Sequence, residues 1–377
     1  MSIDRTLYAR IIKQLKPNKA LLLFGARRVG KTFLITQIAE KYGKEVLLLN
    51  GEDNDTLALL ADKSIASYRR LLNKVKLLVI DEAQNIPDIG QKLKLMTDEV
   101  KGVSIIASGS SAFDLLNKVG EPLVGRSQTF RLYPFSQAEL AAKENALETK
   151  QNLEHRLLYG SYPDVALADD DEQKREYLRN IVNAYLLKDI LAFDGIRNSA
   201  KMYDLLRLIA FQTGNEVSFD ELGTQLGMSK NTVERYLDLL AKVFVLFRLQ
   251  AYSQNLRKEV SRKSKWYFYD TGIRNAIINN FSPLSLRNDT GTLWENYLIL
   301  ERFKQVNNTG KYNELFFWRT YDGQEIDLIE SSDGKLEAFE FKWGNKKPQI
   351  PAAFAKTYPE TPYHVINKTN YIDFLSH

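Results

Sequence analysis

The stretch from Ala20 to Ala39 constrains this chain more than any other. Ala20-Leu21-Leu22-Leu23-Phe24 is a continuous apolar run, the pattern of a strand buried in a parallel sheet. Gly25-Ala26-Arg27-Arg28-Val29-Gly30-Lys31-Thr32 follows, then Phe33-Leu34-Ile35-Thr36-Gln37-Ile38-Ala39 with helical spacing. Strand, glycine loop and helix are the context that G-x-x-x-x-G-K-[ST] requires. The glycines let main-chain amides curl around phosphate oxygens, and the helix N-terminus adds positive potential. Lys31 is expected to reach the outer phosphates of ATP, and the Thr32 hydroxyl to ligate magnesium. The bland alternative, a chance glycine turn before a helix, is disfavoured by the full match in the right context.

A second apolar run, Leu77-Leu78-Val79-Ile80, ends in Asp81-Glu82. In an open parallel sheet, ligands sit beyond the carboxyl ends of the strands, so this pair is expected beside the glycine loop. Asp81 suits the magnesium shell and Glu82 suits polarising an attacking water. Without the loop, a surface turn after a core strand would be the better reading. A third strand, Val103 to Ala107, leads into Ser108-Gly109-Ser110-Ser111, where a hydroxyl can sense the γ-phosphate or cap a helix over Phe113-Asp114-Leu115-Leu116. Gly125-Arg126 precedes a fourth strand over 128–132, and Arg126 is a candidate for supplying charge to the transition state. Acting in trans, it would need a homo-oligomer. Arg27 and Arg28 read as loop-surface charges or contacts to neighbouring chains.

Composition narrows the chemistry. The chain of 377 residues has no cysteine, and its histidines are His155, His364 and His377. Thiol catalysis and thiolate metal sites are therefore excluded, and any catalytic metal must sit on oxygen, which favours magnesium or manganese. A net charge of +5 permits a local nucleic-acid patch without arguing for one. No apolar run approaches the ~20 residues of a membrane span, and the N-terminus lacks a signal-peptide layout, so a cytoplasmic location is expected.

Beyond Gln137 the pattern turns helical. Val217 to Leu240 has the outline of two helices around a Gly227 turn, with Ser218 and Ser229 as caps. That is the helix-turn-helix layout, in which the second helix reads DNA, here through Lys230, Asn231 and Arg235. Arg257, Lys258, Arg262 and Lys263 lie in the stretch before the strand Lys265-Trp266-Tyr267-Phe268-Tyr269, and a wing so charged suits phosphate backbone. Against this, Glu234 and Asp238 face a phosphate-rich groove poorly, and such modules also bind proteins. Asp270-Thr271-Gly272 is read as a strand end and helix cap, not a protease motif.

In the last hundred residues, Glu325-Ile326-Asp327-Leu328-Ile329 and Leu336 to Lys342 read as a hairpin around Asp333-Gly334. Glu340 and Lys342 project from one face, with Asp327 on the neighbouring strand. Two carboxylates and a lysine so placed can bind magnesium and activate water against a phosphodiester, with Glu295 completing the shell from a preceding helix. A plain hairpin with exposed acids is the alternative.

Taken together, Gly25 to Thr32, Leu77 to Gln84, Ala107 to Ser111, Gly125-Arg126, Leu132-Tyr133-Pro134-Phe135, Gly160-Ser161-Tyr162-Pro163-Asp164, Lys188-Asp189-Ile190 and Glu340-Phe341-Lys342 resemble prokaryotic AAA-type ATPases that carry a C-terminal domain of unknown function. The terminal acids look like a D…E-x-K nuclease core, with Ile326 where the fuller pattern often has proline. The resemblance implies an α/β P-loop ATPase over 1–140, a helical lid or linker over 141–200, a winged helix over 201–272, and a small α/β restriction-endonuclease-like domain over 273–377. The expected activity is ATP hydrolysis coupled to DNA binding. The alternative is an ATP-operated switch or scaffold on a protein partner, with an inert terminal domain. A small-molecule kinase is disfavoured because Asp81-Glu82 suits attack by water.

Overall fold

In the computed structural model of the chain, the described residues are 3–109, 123–186, 199–253 and 264–376. They fall into two compact units, Ser2–Tyr133 with Lys242–Phe244, and Pro134–Ala241 with Val245–His377.

The first unit is built on β1 (Ala20–Phe24), β2 (Val46–Asn50), β3 (Leu77–Asp81), β4 (Ser104–Gly109) and β5 (Ser127–Arg131), in the order β2-β3-β4-β1-β5. Every pairing is parallel. The apolar runs of β1, β3 and β4 suit their inner places. All of β1 and β4 is buried, and so is β3 up to Asp81. Each leucine or isoleucine taken fully out of water there contributes about 1.5–3 kcal/mol. β2 and β5 form the edges, and Leu48 in β2 remains 53% exposed although Val46 to Leu49 is an apolar run. β4 runs on to Gly109, so Ser108 lies inside the strand that was expected to end before it. Ser110, Ser111 and the stretch Phe113 to Leu116 lie outside the described residues, as does Lys188-Asp189-Ile190.

The second unit holds a six-stranded mixed sheet. Its strands are β6 (Leu246–Ala251), β7 (Ser264–Phe268), β8 (Glu314–Arg319), β9 (Glu325–Ser332), β10 (Lys335–Phe341) and β11 (Tyr363–Ile366), in the order β11-β10-β9-β8-β6-β7. Asp333 and Gly334 both take positive φ, 50° and 78°, as the tight hairpin between β9 and β10 demands. Trp318, Ile326, Ile329 and Ala338 pack with Phe354 on one side of this sheet. β6 and β7, from before the expected boundary at residue 272, extend the same sheet as the strands beyond it.

Helices of the expected linker also belong to this unit. Helix α1 (Leu153–Tyr159) meets α2 (Thr271–Ile277) through buried polar bonds. Asp270 caps α2 by accepting from the Ile273 amide at 3.1 Å, as read from the sequence. It also accepts from the Ser161 amide at 2.7 Å. Gly160 permits this approach, because a Cβ there would stand 1.9 Å from an Asp270 carboxylate oxygen. Asn275 Nδ2 donates to the carbonyls of Leu157 at 3.1 Å and Leu158 at 2.8 Å. Burial pushes the Asp270 carboxyl up to about 6. No helix among the described residues is long and apolar enough to cross a membrane.

Candidate functional site

The glycine loop leaves β1 and enters the helix Lys31–Ala39, with Gly30 at φ 91° as its N-cap. A left-handed cap turns the first amides of the helix towards the loop, the posture that suits an anion. Lys31 is buried, and its ammonium donates to the carbonyls of Gly25 at 2.9 Å and Ala26 at 3.0 Å. Loop carbonyls thus hold the lysine over the hollow.

β3 ends beside the loop because β4, which separates it from β1, brings both carboxyl ends to one edge. The Thr32 hydroxyl donates to Asp81 Oδ2 at 2.7 Å. The fully buried Ser108 hydroxyl donates to Asp81 Oδ1 from β4, and the Glu82 amide reaches the same oxygen at 3.1 Å. From the end of β2, the Gly51 amide donates to the Asp81 carbonyl at 2.8 Å. Asp81 is therefore held by hydroxyls and amides and forms no ion pair among the described residues. That donor set fits magnesium, since a threonine hydroxyl and a carboxylate oxygen stand together at a phosphate-binding turn.

Glu82 sits at φ 48°, a strained conformation that throws its side chain off the strand line. Its Oε2 accepts from Gln84 Nε2 at 2.6 Å. Gln84 is not legible as a site residue from the sequence, because a carboxamide two residues after an acid has no spacing signature of its own. Arg126 is not brought to this chain's loop. It lies just before β5, whose first residue pairs with Ala20 at the opposite end of β1, and its Nε donates to Asp98 at 2.6 Å. Arg27 and Arg28 lie in the loop, Arg28 at φ 66°.

The terminal acids form a separate cluster within the second unit. Asp327 Oδ2 accepts from the Phe341 amide at 2.8 Å and stands 4.0 Å from Lys342 Nζ, which donates to Glu340 Oε1 at 2.5 Å. Glu340 Oε2 is buried without a hydrogen-bond partner among the described residues. Burial pushes the Asp327 carboxyl well up, reinforced by the charges of Glu295 and Glu340. The hairpin therefore assembles Asp327, Glu340 and Lys342, and the orphaned oxygen fits a cation shared by the two acids.

Glu295 stands close enough for its charge to act on Asp327, but its own oxygen is already engaged. Its Oε1 accepts from Tyr267 at 2.6 Å and from Lys265 at 3.3 Å. Lys265, 2% exposed, also pairs with Glu325. Burial alone would lower the Lys265 pKa, but the charges of Glu295 and Glu325 more than offset it and raise it. Among the described residues no group of three or more acids or histidines is placed to hold a metal, so the expected third ligand from Glu295 is not delivered. The physical reason is a buried ammonium from β7 that already satisfies it.

Of the expected DNA contacts, Lys230 is exposed and tied to Asp220 at 3.0 Å, while the Arg235 guanidinium lies 5.6 Å from the ring of Tyr236. Asn231 is exposed near the start of the helix Lys230–Lys242. Arg257, Lys258, Arg262 and Lys263 lie outside the described residues.

A parallel sheet with a glycine loop and an aspartate at neighbouring carboxyl ends defines a P-loop NTPase-like unit. Comparison with known proteins agrees: residues 17–141 match the AAA domain family, which supports an AAA-type P-loop ATPase. Residues 150–284 and 290–375 match two domains of unknown function, DUF8612 and DUF4143. An uncharacterized protein of Mycobacterium tuberculosis is 28% identical over 338 residues, covering 89% of this chain and 72% of the relative. One from Methanocaldococcus jannaschii is 25% identical over 373 residues, covering 93% and 80%. The replication factor C large subunit of Thermococcus kodakarensis is 34% identical over 93 residues, 24% of this chain and 19% of that protein.

Proposed function

We propose that the chain binds and hydrolyses Mg-ATP at the glycine loop and uses the cycle to act on nucleic acid held by its second unit. The observation that carries the reading is the Thr32–Asp81–Ser108 chain of hydrogen bonds beside the buried Lys31 ammonium. Lys31 exchanges its two loop carbonyls for phosphate oxygens. Thr32 and Asp81 hold the metal, and Ser108 fixes the Asp81 carboxylate from below. Magnesium supplies charge neutralisation on the phosphate oxygens. Glu82, oriented by Gln84, takes the proton of the attacking water. Arg126 would serve only a neighbouring chain's site, in a homo-oligomer.

Asp327, Glu340 and Lys342 support phosphodiester chemistry in the second unit, and the two helices around Gly227 support a winged-helix role in binding DNA. A second reading, a switch acting on a protein partner with an inert terminal cluster, is favoured by the engagement of Glu295 with Lys265 and Tyr267.

Phosphate release and cutting of labelled DNA, measured side by side, test both. Lys31→Ala is expected to lower ATP turnover by about 100-fold or more; undiminished turnover removes the central claim. Asp327→Ala is expected to end magnesium-dependent cutting and leave ATP turnover intact. Wild-type protein that hydrolyses ATP but neither binds nor cuts DNA or RNA would establish the second reading.

A further inference from the structure

β10 and β11 run parallel, with Phe341 opposite Ile366. Their carboxyl ends therefore open at one sheet edge, and the Lys342 amide donates to the Ile366 carbonyl at 2.9 Å to keep the two exits in register. Two loops leave from that edge, residues 342–351 after β10 and 367–370 after β11. Lysine is the only charged residue type in either: Lys342, Lys346, Lys347 and Lys368. In a chain whose basic and acidic residues number 52 and 47, an acid-free pair of adjacent loops is a local departure from balance.

The loops are also pinned to each other. Lys368 Nζ lies 4.6 Å from the centroid of the Trp343 ring, which meets the buried Trp294 edge-on at 5.5 Å. Lys346, Lys347 and Lys368 are exposed and form no ion pair among the described residues. Lys342, at the root of the first loop, contacts Glu340 and Asp327. Three ammonium groups without an ion pair among the described residues thus sit on the two loops that leave the edge where Lys342 meets the acid cluster.

Resting on the nucleic-acid reading above, we propose that these two loops are the track for a nucleic-acid backbone, its phosphates lying on Lys346, Lys347 and Lys368 so that one phosphodiester reaches Asp327, Glu340 and Lys342. Phosphate is the chemistry this edge recognises. The ammonium groups are point charges on long stems, they offer no acceptor, and their contacts with phosphate release counterions without reading base sequence. The track is distinct from the helix Lys230–Lys242, where Lys230 is already paired.

The test uses the full chain in EDTA, so that binding is read without cutting. Fluorescein-labelled 20-nucleotide DNA and RNA, each as single strand and duplex, are titrated by anisotropy across salt concentrations. The variant is Lys346→Gln/Lys347→Gln/Lys368→Gln. Its plot of log affinity against log salt is expected to be flatter than wild type by about 2 to 3, the loss of three phosphate contacts. A denaturant melt of the second unit that matches wild type shows that the variant is folded. A wild-type slope in the variant overturns the track while leaving the nucleic-acid reading standing. A wild-type protein that binds none of the four probes overturns both. Polyglutamate bound as tightly as DNA, and weakened equally by the variant, would assign the edge to an acidic protein partner and overturn the proposal.

Discussion

Two clusters of acids in this chain are held in opposite ways. At the glycine loop, Asp81 is gripped by the hydroxyls of Thr32 and Ser108 and by the Glu82 amide, with no cation of the chain among its described partners. In the second unit, Glu340, Glu295 and Glu325 are each met by a lysine, and Asp327 stands within reach of one. Hydroxyl and amide donors orient a carboxylate without neutralising it, so its charge stays available to a metal. Ammonium partners neutralise it, and a metal must then compete. The same residue type is thus poised for an incoming cation in one place and largely self-compensated in the other.

The sharpest way to break this comparison is Glu82→Gln. Removing the group proposed to accept the proton of water is expected to cut ATP turnover by about 10²–10⁴-fold while ATP still binds. Phosphate release and nucleotide titration on the same preparation check it, and unaltered hydrolysis would strip Glu82 of its role.

Lys265→Met probes the other side. It leaves Glu295 and Glu325 without their buried ammonium, and breaking such a pair costs about 3–5 kcal/mol. Denaturant melts should show this loss for the second unit. A shift within experimental error would mean that water, not Lys265, compensates these acids.

A smaller effect should separate an amide-held carboxylate in the second unit from the lysine-paired ones. Asp270 is buried among main-chain donors, and burial lifts it to about 6 from an ordinary value of 3.8. An acid raised in the folded state is favoured when protonated, so stability attributable to Asp270 falls as pH rises from about 3.8 through about 6. Wild type measured against Asp270→Asn should lose about 3 kcal/mol across that window. A pH-independent difference between the two proteins would show that Asp270 does not titrate there.

Much of the first unit was legible in residue order. β1, the glycine loop and its helix, and β3 ending in Asp81-Glu82 are local patterns, each complete within a short window. The hairpin of β9 and β10 was equally legible, because Asp333-Gly334 specifies its own turn. β2 was not among the strands expected from the sequence. Its apolar run resembles an inner strand, yet its position at the sheet edge follows from which strands pair, a non-local matter. The same holds for Ser108, whose contact with Asp81 spans two strands, and for Arg126, which strand direction carries to the far end of the sheet.

Residue order by itself determined the phosphate-binding loop, the acids after β3 and the alternation that sets Asp327, Glu340 and Lys342 on one face. These depend on backbone periodicity and on glycine, which act over a few residues. Tertiary structure alone decided which cation meets which acid. Lys265 is 30 residues before Glu295 and 60 before Glu325, and only the sheet that holds β7 and β9, with the helix Thr290–Thr309 packed on β7, buries them together. Ion pairing in a low-dielectric interior depends on distance in space, and spacing along the chain carries no record of it.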